Sequence, residues 1–179
     1  MKIKSYIFND TTYDFLYQVS EALGKTGVFI PLSISDAGLE ELGVTITYTD
    51  EPIDILKQRK LRQIDALTSS KIVGGFTSSC TGEEVTYDSD KDTQLTMQGI
   101  ALNVNTELFA EKYPTGCPVR GYVGDAEHKT VQWLTPAQVL AWQADLSIHI
   151  GTCKQWGWTK QAEVAAATTE EELDNIQLS

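Results

Sequence analysis

Residues 93–106, TQLTMQGIALNVNT, are fourteen consecutive positions without a charge in a chain that is 22% charged. An uncharged run with helical spacing predicts a buried helix. At about 100° per residue, Leu95, Leu102 and Phe109 share one side, while Met97, Ala101, Val104 and Leu108 share nearly the opposite side. A helix apolar on two faces has to be covered on two faces. Leu95, Leu102 and Phe109 are expected to pack on the protein's own hairpins. Met97, Ala101, Val104 and Leu108 then need a second cover, from elsewhere in the chain or from another chain, which makes them candidate partner-binding residues.

Composition removes several classes of partner. A net charge of −11 opposes binding to phosphate backbones and anionic lipid, so neither nucleic acid nor a membrane is expected. No apolar run approaches the ~20 residues needed to cross a bilayer, and residues 1–8 are too short and alternating for a leader. With 179 residues, 41% of them hydrophobic, about 70% of the unfolded surface can be buried, and no disulfide is needed. Cys80, Cys117 and Cys153 are odd in number and far apart, without Cys-x-x-Cys spacing. They argue against a disulfide framework or zinc ribbon and fit a reducing compartment. There is no Gly-x-Ser-x-Gly, phosphate loop or Gly-x-Gly-x-x-Gly. No catalytic residue, cofactor or metal is therefore assigned.

The order of local signals predicts an α+β protein: a small N-terminal strand-helix unit (residues 1–50), a connecting helix (51–74), and a helix-rich region with two β-hairpins (75–179). Ile3 and Phe8 mark a first strand, Asn9-Asp10-Thr11 a turn and helix cap, and Leu16, Val19 and Leu23 a helical stripe closed by Gly24. Residues 28–32 read as a short edge strand broken by Pro31. Ser35 or Asp36 caps a two-turn helix, Gly43 stops it, and residues 44–48 alternate as a half-buried strand.

Pro52 and the acids before it start a second helix running to Val73. Within it, Lys57, Arg59, Lys60 and Arg62 are four of the chain's fourteen basic residues. They make no single basic stripe, because Lys57 and Lys60 fall among Ile53, Leu56, Leu61, Ile64 and Leu67. The first turns of this helix are expected to project beyond the core, as in a stalk. Residues 76–87 form a hairpin around Thr81-Gly82, and Asp88-Ser89-Asp90 caps the uncharged helix, which closes near Tyr113-Pro114. In residues 119–134, Val119, Tyr122 and Val123 are expected to pair with Val131 and Trp133. Thr135-Pro136-Ala137-Gln138 is a capping box with proline at N1. The helix it opens carries Val139, Trp142, Leu146, His149, Ile150, Cys153 and Trp156 on one stripe, with Gly157 an end or a kink. Residues 168–172 cap a last short helix with Leu173 and Ile176.

From Leu56 onward this order resembles a domain-of-unknown-function family found in bacteriophage tail proteins, encoded beside or at the end of tail-fibre genes. The matching features are a Lys/Arg-rich helix ending in Gly74-Gly75-Phe76, a hairpin closing in Tyr87-Asp88-Ser89-Asp90, and a second ending in Val131-Gln132-Trp133-Leu134-Thr135-Pro136-Ala137-Gln138. The tail Ala165-Ala166-Ala167-Thr168-Thr169-Glu170-Glu171-Glu172-Leu173 closes the match. Ile30-Pro31-Leu32-Ser33-Ile34-Ser35-Asp36 and Leu42-Gly43-Val44 are similar to small N-terminal units of such proteins. Cys80 departs from the pattern, since related hairpins carry Asp-Gly there. The resemblance implies a non-enzymatic tail-fibre assembly chaperone that binds a fibre or receptor-binding protein in the host cytoplasm. Its alternative is a structural virion subunit of the tail or baseplate; self-association into a homo-oligomer is compatible with both.

Other residue groups invite chemistry. His149 and Cys153 stand four apart on one helical face, a spacing that suits two metal ligands, but they lie between Trp142 and Trp156, as a hydrogen-bonded core histidine would. The remaining ligands would be His128 with Cys80 or Cys117. Glu83, Glu84, Asp88 and Asp90, and Asp125, Glu127 and His128, are acidic groups on the two hairpins. As hydrolase carboxylates they need an enclosed cleft, whereas hairpin tips are solvated. Trp133, Trp142, Trp156 and Trp158 lie within 26 residues. Trp158 falls off the inner stripe, so it is the candidate exposed anchor.

Overall fold

A computed structural model describes residues 2–179. The chain is α+β and divides into two units, one ending at Leu56 and the other Lys57–Ser179. The division falls in the first turn of the helix expected as a connector, so most of that helix belongs to the second unit.

In the first unit, β1 (Lys2–Phe8), β2 (Thr11–Tyr13) and β3 (Thr45–Asp50) form an antiparallel sheet in the order β2-β1-β3. Asn9 and Asp10 make the β1–β2 turn with positive φ at both positions (50° and 61°), a conformation their short polar side chains tolerate. The two residues expected to cap a helix thus close a hairpin. The helix α1 (Leu16–Gly24) starts later, where Gln18 Oε1 accepts from the Asp14 and Phe15 amides at 3.2 and 3.1 Å. Residues 28–32 form no strand. Val28 and Ile30 instead reach the core of Tyr6, Val19, Leu23, Leu39 and Val44 from a loop, because Pro31 lacks the donor a strand needs.

Ser35 caps α2 (Asp36–Glu41) by accepting from the Gly38 amide. Asp36, in its first turn, accepts from the Lys4 ammonium and from the Tyr48 hydroxyl at 2.9 Å. Lys4 and Tyr48 are register partners in β1 and β3, so one carboxylate ties the helix to two strands. These bonds, Lys4's first, hold the Asp36 carboxyl below its ordinary pKa. A depressed folded-state pKa adds stability above the unfolded value, and that stability is lost as pH falls through the folded value. Asp36→Asn is therefore expected to weaken the first unit near pH 7. The gap to wild type should close in acid, as the wild-type carboxyl protonates; denaturant titration of β1 and β3 amide signals at the two pH values reads it.

In the second unit the two expected hairpins are one sheet. β4 (Phe76–Ser78), β5 (Val85–Tyr87), β6 (Cys117–Val123) and β7 (Thr130–Leu134) run antiparallel in the order β4-β5-β6-β7. Val119 pairs with Gln132 and Arg120 with Val131, while Tyr122 and Val123 pair with Thr86 and Val85 across the β5–β6 junction. One sheet face carries Phe76, Val85, Tyr87, Cys117 and Val119 into a core shared with Met97, Val104, Leu134, Val139, Trp142 and Leu146.

Helix α3 (Ile53–Val73) lies antiparallel to the 31-residue α6 (Pro136–Ala166), whose capping box is formed by Thr135 and Gln138. The pairing is read from Lys57 Nζ donating to the Ala165 carbonyl (3.0 Å), Gln161 to Asp65 (2.7 Å), and His149 Nε2 lying 3.1 Å from the Lys71 carbonyl. Lys57 sits in an apolar stripe because its ammonium meets the carbonyl end of α6, where a cation is favoured. Gly157 neither ends nor kinks α6: a Cβ there would lie 2.5 Å from Thr68 Oγ1, so the glycine lets the two helices approach closely. The chain closes in α7 (Glu170–Asp174), capped reciprocally by Thr169 and Glu172. Among the described residues no helix is long and apolar enough to cross a membrane.

Candidate functional site

The uncharged stretch forms α4 (Lys91–Asn103), capped by Asp90, which accepts from the amides of Asp92 and Thr93 at 3.0 Å. The bond from the Thr93 hydroxyl first, then those from the Thr93 and Asp92 amides, hold the Asp90 carboxyl below its ordinary pKa. The buried Ser89 before it donates to the Ile72 carbonyl (2.6 Å) and accepts from the Gly75 amide (2.9 Å). The start of α4 is thereby fixed to the end of α3.

So anchored, α4 presents the opposite face from the one expected. Met97 and Val104 are fully buried in the core beneath the sheet and α6, with Ala101 half-buried beside them. Met97 and Val104 are not open to a partner. Leu95 and Leu102 point outward instead, 67% and 83% exposed. The expectation also failed further along, because the helix does not continue to Tyr113. Thr106 accepts from the Phe109 amide at 3.3 Å and caps a separate α5 (Glu107–Lys112). The new helix restarts the angular count: Phe109 turns toward the core and packs on Tyr113 at 4.8 Å, and Leu108 is exposed at 66%.

The outward side of α4 meets α6 in an open groove of about 430 Å³, lined by Gln98, Ala101, Leu102, Leu140 and Gln143. None of these residues is charged. Leu102 and Leu140 supply exposed apolar surface, while the amides of Gln98 and Gln143 can each donate and accept. Such a lining suits an apolar peptide segment whose backbone still needs hydrogen bonds. Leu102 was legible in the sequence as part of an apolar stripe; Leu140 was missed, since only the packing of α4 on α6 brings it to the groove.

The other singled-out residues are dispersed. Trp142 is buried edge-on to Tyr87 at 5.4 Å, Trp156 lies half-buried under Lys71 Nζ at 4.9 Å, and Trp133 and Trp158 are exposed. His149 Nε2 faces the Lys71 carbonyl and lies 3.8 Å from Cys153 Sγ. Among the described residues no three His, Cys, Asp or Glu side chains converge as a metal-binding group. Of the acidic groups, Asp88 pairs with Lys129 and Asp90 caps α4, while Glu83, Glu84, Asp125, Glu127 and His128 are exposed. Asp145 accepts at 2.5 Å from the buried Ser78 hydroxyl, which itself accepts from the Cys80 amide, and so latches β4 to α6.

Two concave features had no signal in the sequence. A cleft of about 320 Å³ has Tyr87, Met97 and Trp142 in its floor, with Asp88, Asp92 and Arg120 among its lining. In the first unit Phe15 and Tyr17 stack at 5.7 Å, and Tyr17, Phe29 and Leu32 line a shallow surface, Phe29 being 87% exposed.

A family model described as "Domain of unknown function (DUF4376)" matches residues 55–177. That span is nearly all of the second unit, including both walls of the groove. No curated protein and no solved structure matches the chain.

Proposed function

The chain belongs to the DUF4376 domain family, and we propose that it is a non-enzymatic assembly chaperone for a bacteriophage tail fibre or receptor-binding protein. In this role it works in the host cytoplasm and holds an apolar, aggregation-prone part of the fibre. The observation that carries the proposal is the charge-free groove between α4 and α6. In a chain of net charge −11 it keeps Leu102 and Leu140 open to solvent, with Leu95 exposed on the same helix as Leu102. Exposed apolar surface bordered by polar groups marks protein-binding sites. The tail-protein resemblance of residues 56–173 supplies the class of partner.

Co-expression with a tail-fibre gene of the same phage is expected to raise the yield of soluble, trimeric fibre. Leu102→Asp should remove the gain by placing a charge on the groove, at little cost to the fold since Leu102 is 83% exposed. No gain with the wild-type chain overturns the proposal. Mass spectrometry of purified particles separates the virion-subunit reading, because a chaperone that leaves is absent from them.

A further inference from the structure

The outward face of α6 carries a second pattern, separate from the groove. Of the exposed positions along its 31 residues, one is charged, Lys154. Eight of them, spanning residues 137–162, follow each other at alternating steps of four and three. That is the seven-residue repeat by which two helices keep a shared seam in contact. Ile148 and Trp158 stand on this line at 66% and 64% exposure, and its other members are four alanines, Gly151 and Gln155.

We infer that this face pairs with the same face of a second copy of the chain, the two α6 helices running antiparallel about a two-fold axis between Ile148 and Gly151. The register is self-complementary in size. With the axis there, Ile148 faces the second copy's Gly151, Gln155 faces Ala144, and Trp158 faces Ala141, with an alanine pair at each end. Every large side chain meets a small one, which lets the helices approach closely. A two-fold interface requires this property of one patch, whereas an unrelated partner does not.

Charge points to the same occupant. Two copies of net charge −11 repel, and they meet at least cost along a line free of carboxylates. A seam of 26 residues is about 39 Å long and, at a helix diameter of about 10 Å, covers about 400 Å² per copy. This is about half the surface each partner gives to a standard stable interface, so the dimer is reversible rather than obligate.

Sedimentation velocity of the full chain at rising concentration is expected to show a monomer–dimer equilibrium, strengthened by salt as the mutual repulsion is screened. Ile148→Glu and Trp158→Glu should each weaken it at least about tenfold, by desolvating a charge in the seam, while circular dichroism and thermal midpoint stay at wild-type values. Direction is read by mixing Ala144→Cys protein with Gln155→Cys protein, wild type serving as control for the native cysteines. Cross-linking should need the mixture. A wild-type monomer up to millimolar concentration, a dimer that survives Ile148→Glu, or Ala144→Cys cross-linking equally well to itself overturns the inference. So does a monomeric wild type that loses fibre binding on Trp158→Glu, since the face then belongs to the fibre.

Discussion

Valine in place of Gly121 is expected to destabilise the second unit by about 3 kcal/mol or more, the upper range of overpacking. Gly121 lies in β6 opposite Tyr87, one step beyond the Thr86–Tyr122 pair, and faces the core. A Cβ there would stand 2.5 Å from Val85 Cγ1 and 2.9 Å from the Tyr87 ring. Neither neighbour can give way. Both are essentially unexposed, and Tyr87 is held between Phe76 at 5.7 Å and Trp142 at 5.4 Å. The glycine is thus the space in which the tyrosine ring lies against the sheet. Alanine should already be costly, because the clash is at Cβ itself. Gly99 is the control: nothing lies within 4 Å of its missing Cβ, so Gly99→Ala should stabilise α4 by about 0.5–1 kcal/mol. Urea unfolding followed by tryptophan fluorescence reports on the second unit alone, since all four tryptophans lie in it. Wild-type stability in Gly121→Val removes this account of the core.

Trp142→Ala is expected to cost about 3–5 kcal/mol, the usual range for deleting a buried aromatic side chain. Trp142 joins α6 to the sheet through Tyr87 and forms part of the floor of the 320 Å³ cleft, so its loss enlarges an existing space that α4 and β5 would have to collapse to fill. Phenylalanine should behave differently. The indole Nε1 is buried without a hydrogen-bond partner, so Trp142→Phe removes an unsatisfied donor along with part of the ring. Relief of that donor, worth about 1–3 kcal/mol, offsets much of the lost packing. The same unfolding measurement, with tyrosine emission as a second probe, separates the two variants. Equal losses in Trp142→Ala and Trp142→Phe contradict the assignment of the unpaired donor.

How far the fold is legible in the sequence varies with the range of the interaction. Helix α1 ends at Gly24 without a left-handed glycine there, the positive φ coming at Gly27, but the capping box at Thr135 and Gln138, the serine cap at Ser35 and the stop at Gly43 fall where their residues predict. Each is decided within about one turn of chain. Asn9-Asp10 shows where that logic thins. The pair suits a helix cap and a hairpin turn equally well, and the pairing of β1 with β2 selects the turn. Gly157 is the converse case: glycine next to the end of an apolar stripe reads as a stop, yet the helix runs on because Thr68 of α3 lies against it.

The candidate groove was half legible. Its apolar residues on α4 stood in the opening stretch, but the two-faced pattern required cover on both faces, and the Leu95 and Leu102 face is left open. Which face turned inward depended on partners far away in sequence: Ser89 fixing the start of α4 to the end of α3, and the sheet core taking up Met97 and Val104. Thr106 then broke the helical phase, so angles extrapolated past Val104 assigned Leu108 and Phe109 to the wrong sides.

What the sequence determined by itself was the kind and order of most elements, with β2, the loop at residues 28–32 and the break between α4 and α5 as exceptions, because capping, turn conformation and apolar spacing act between near neighbours. The tertiary structure alone decided the joining of two hairpins through Val85 and Val123, the inward face of α4, the pairing of α3 with α6, and the exposure of Leu102, Leu140, Ile148 and Trp158. A buried and an uncovered apolar stripe have the same local spacing. They differ only in whether a distant part of the chain comes to cover them.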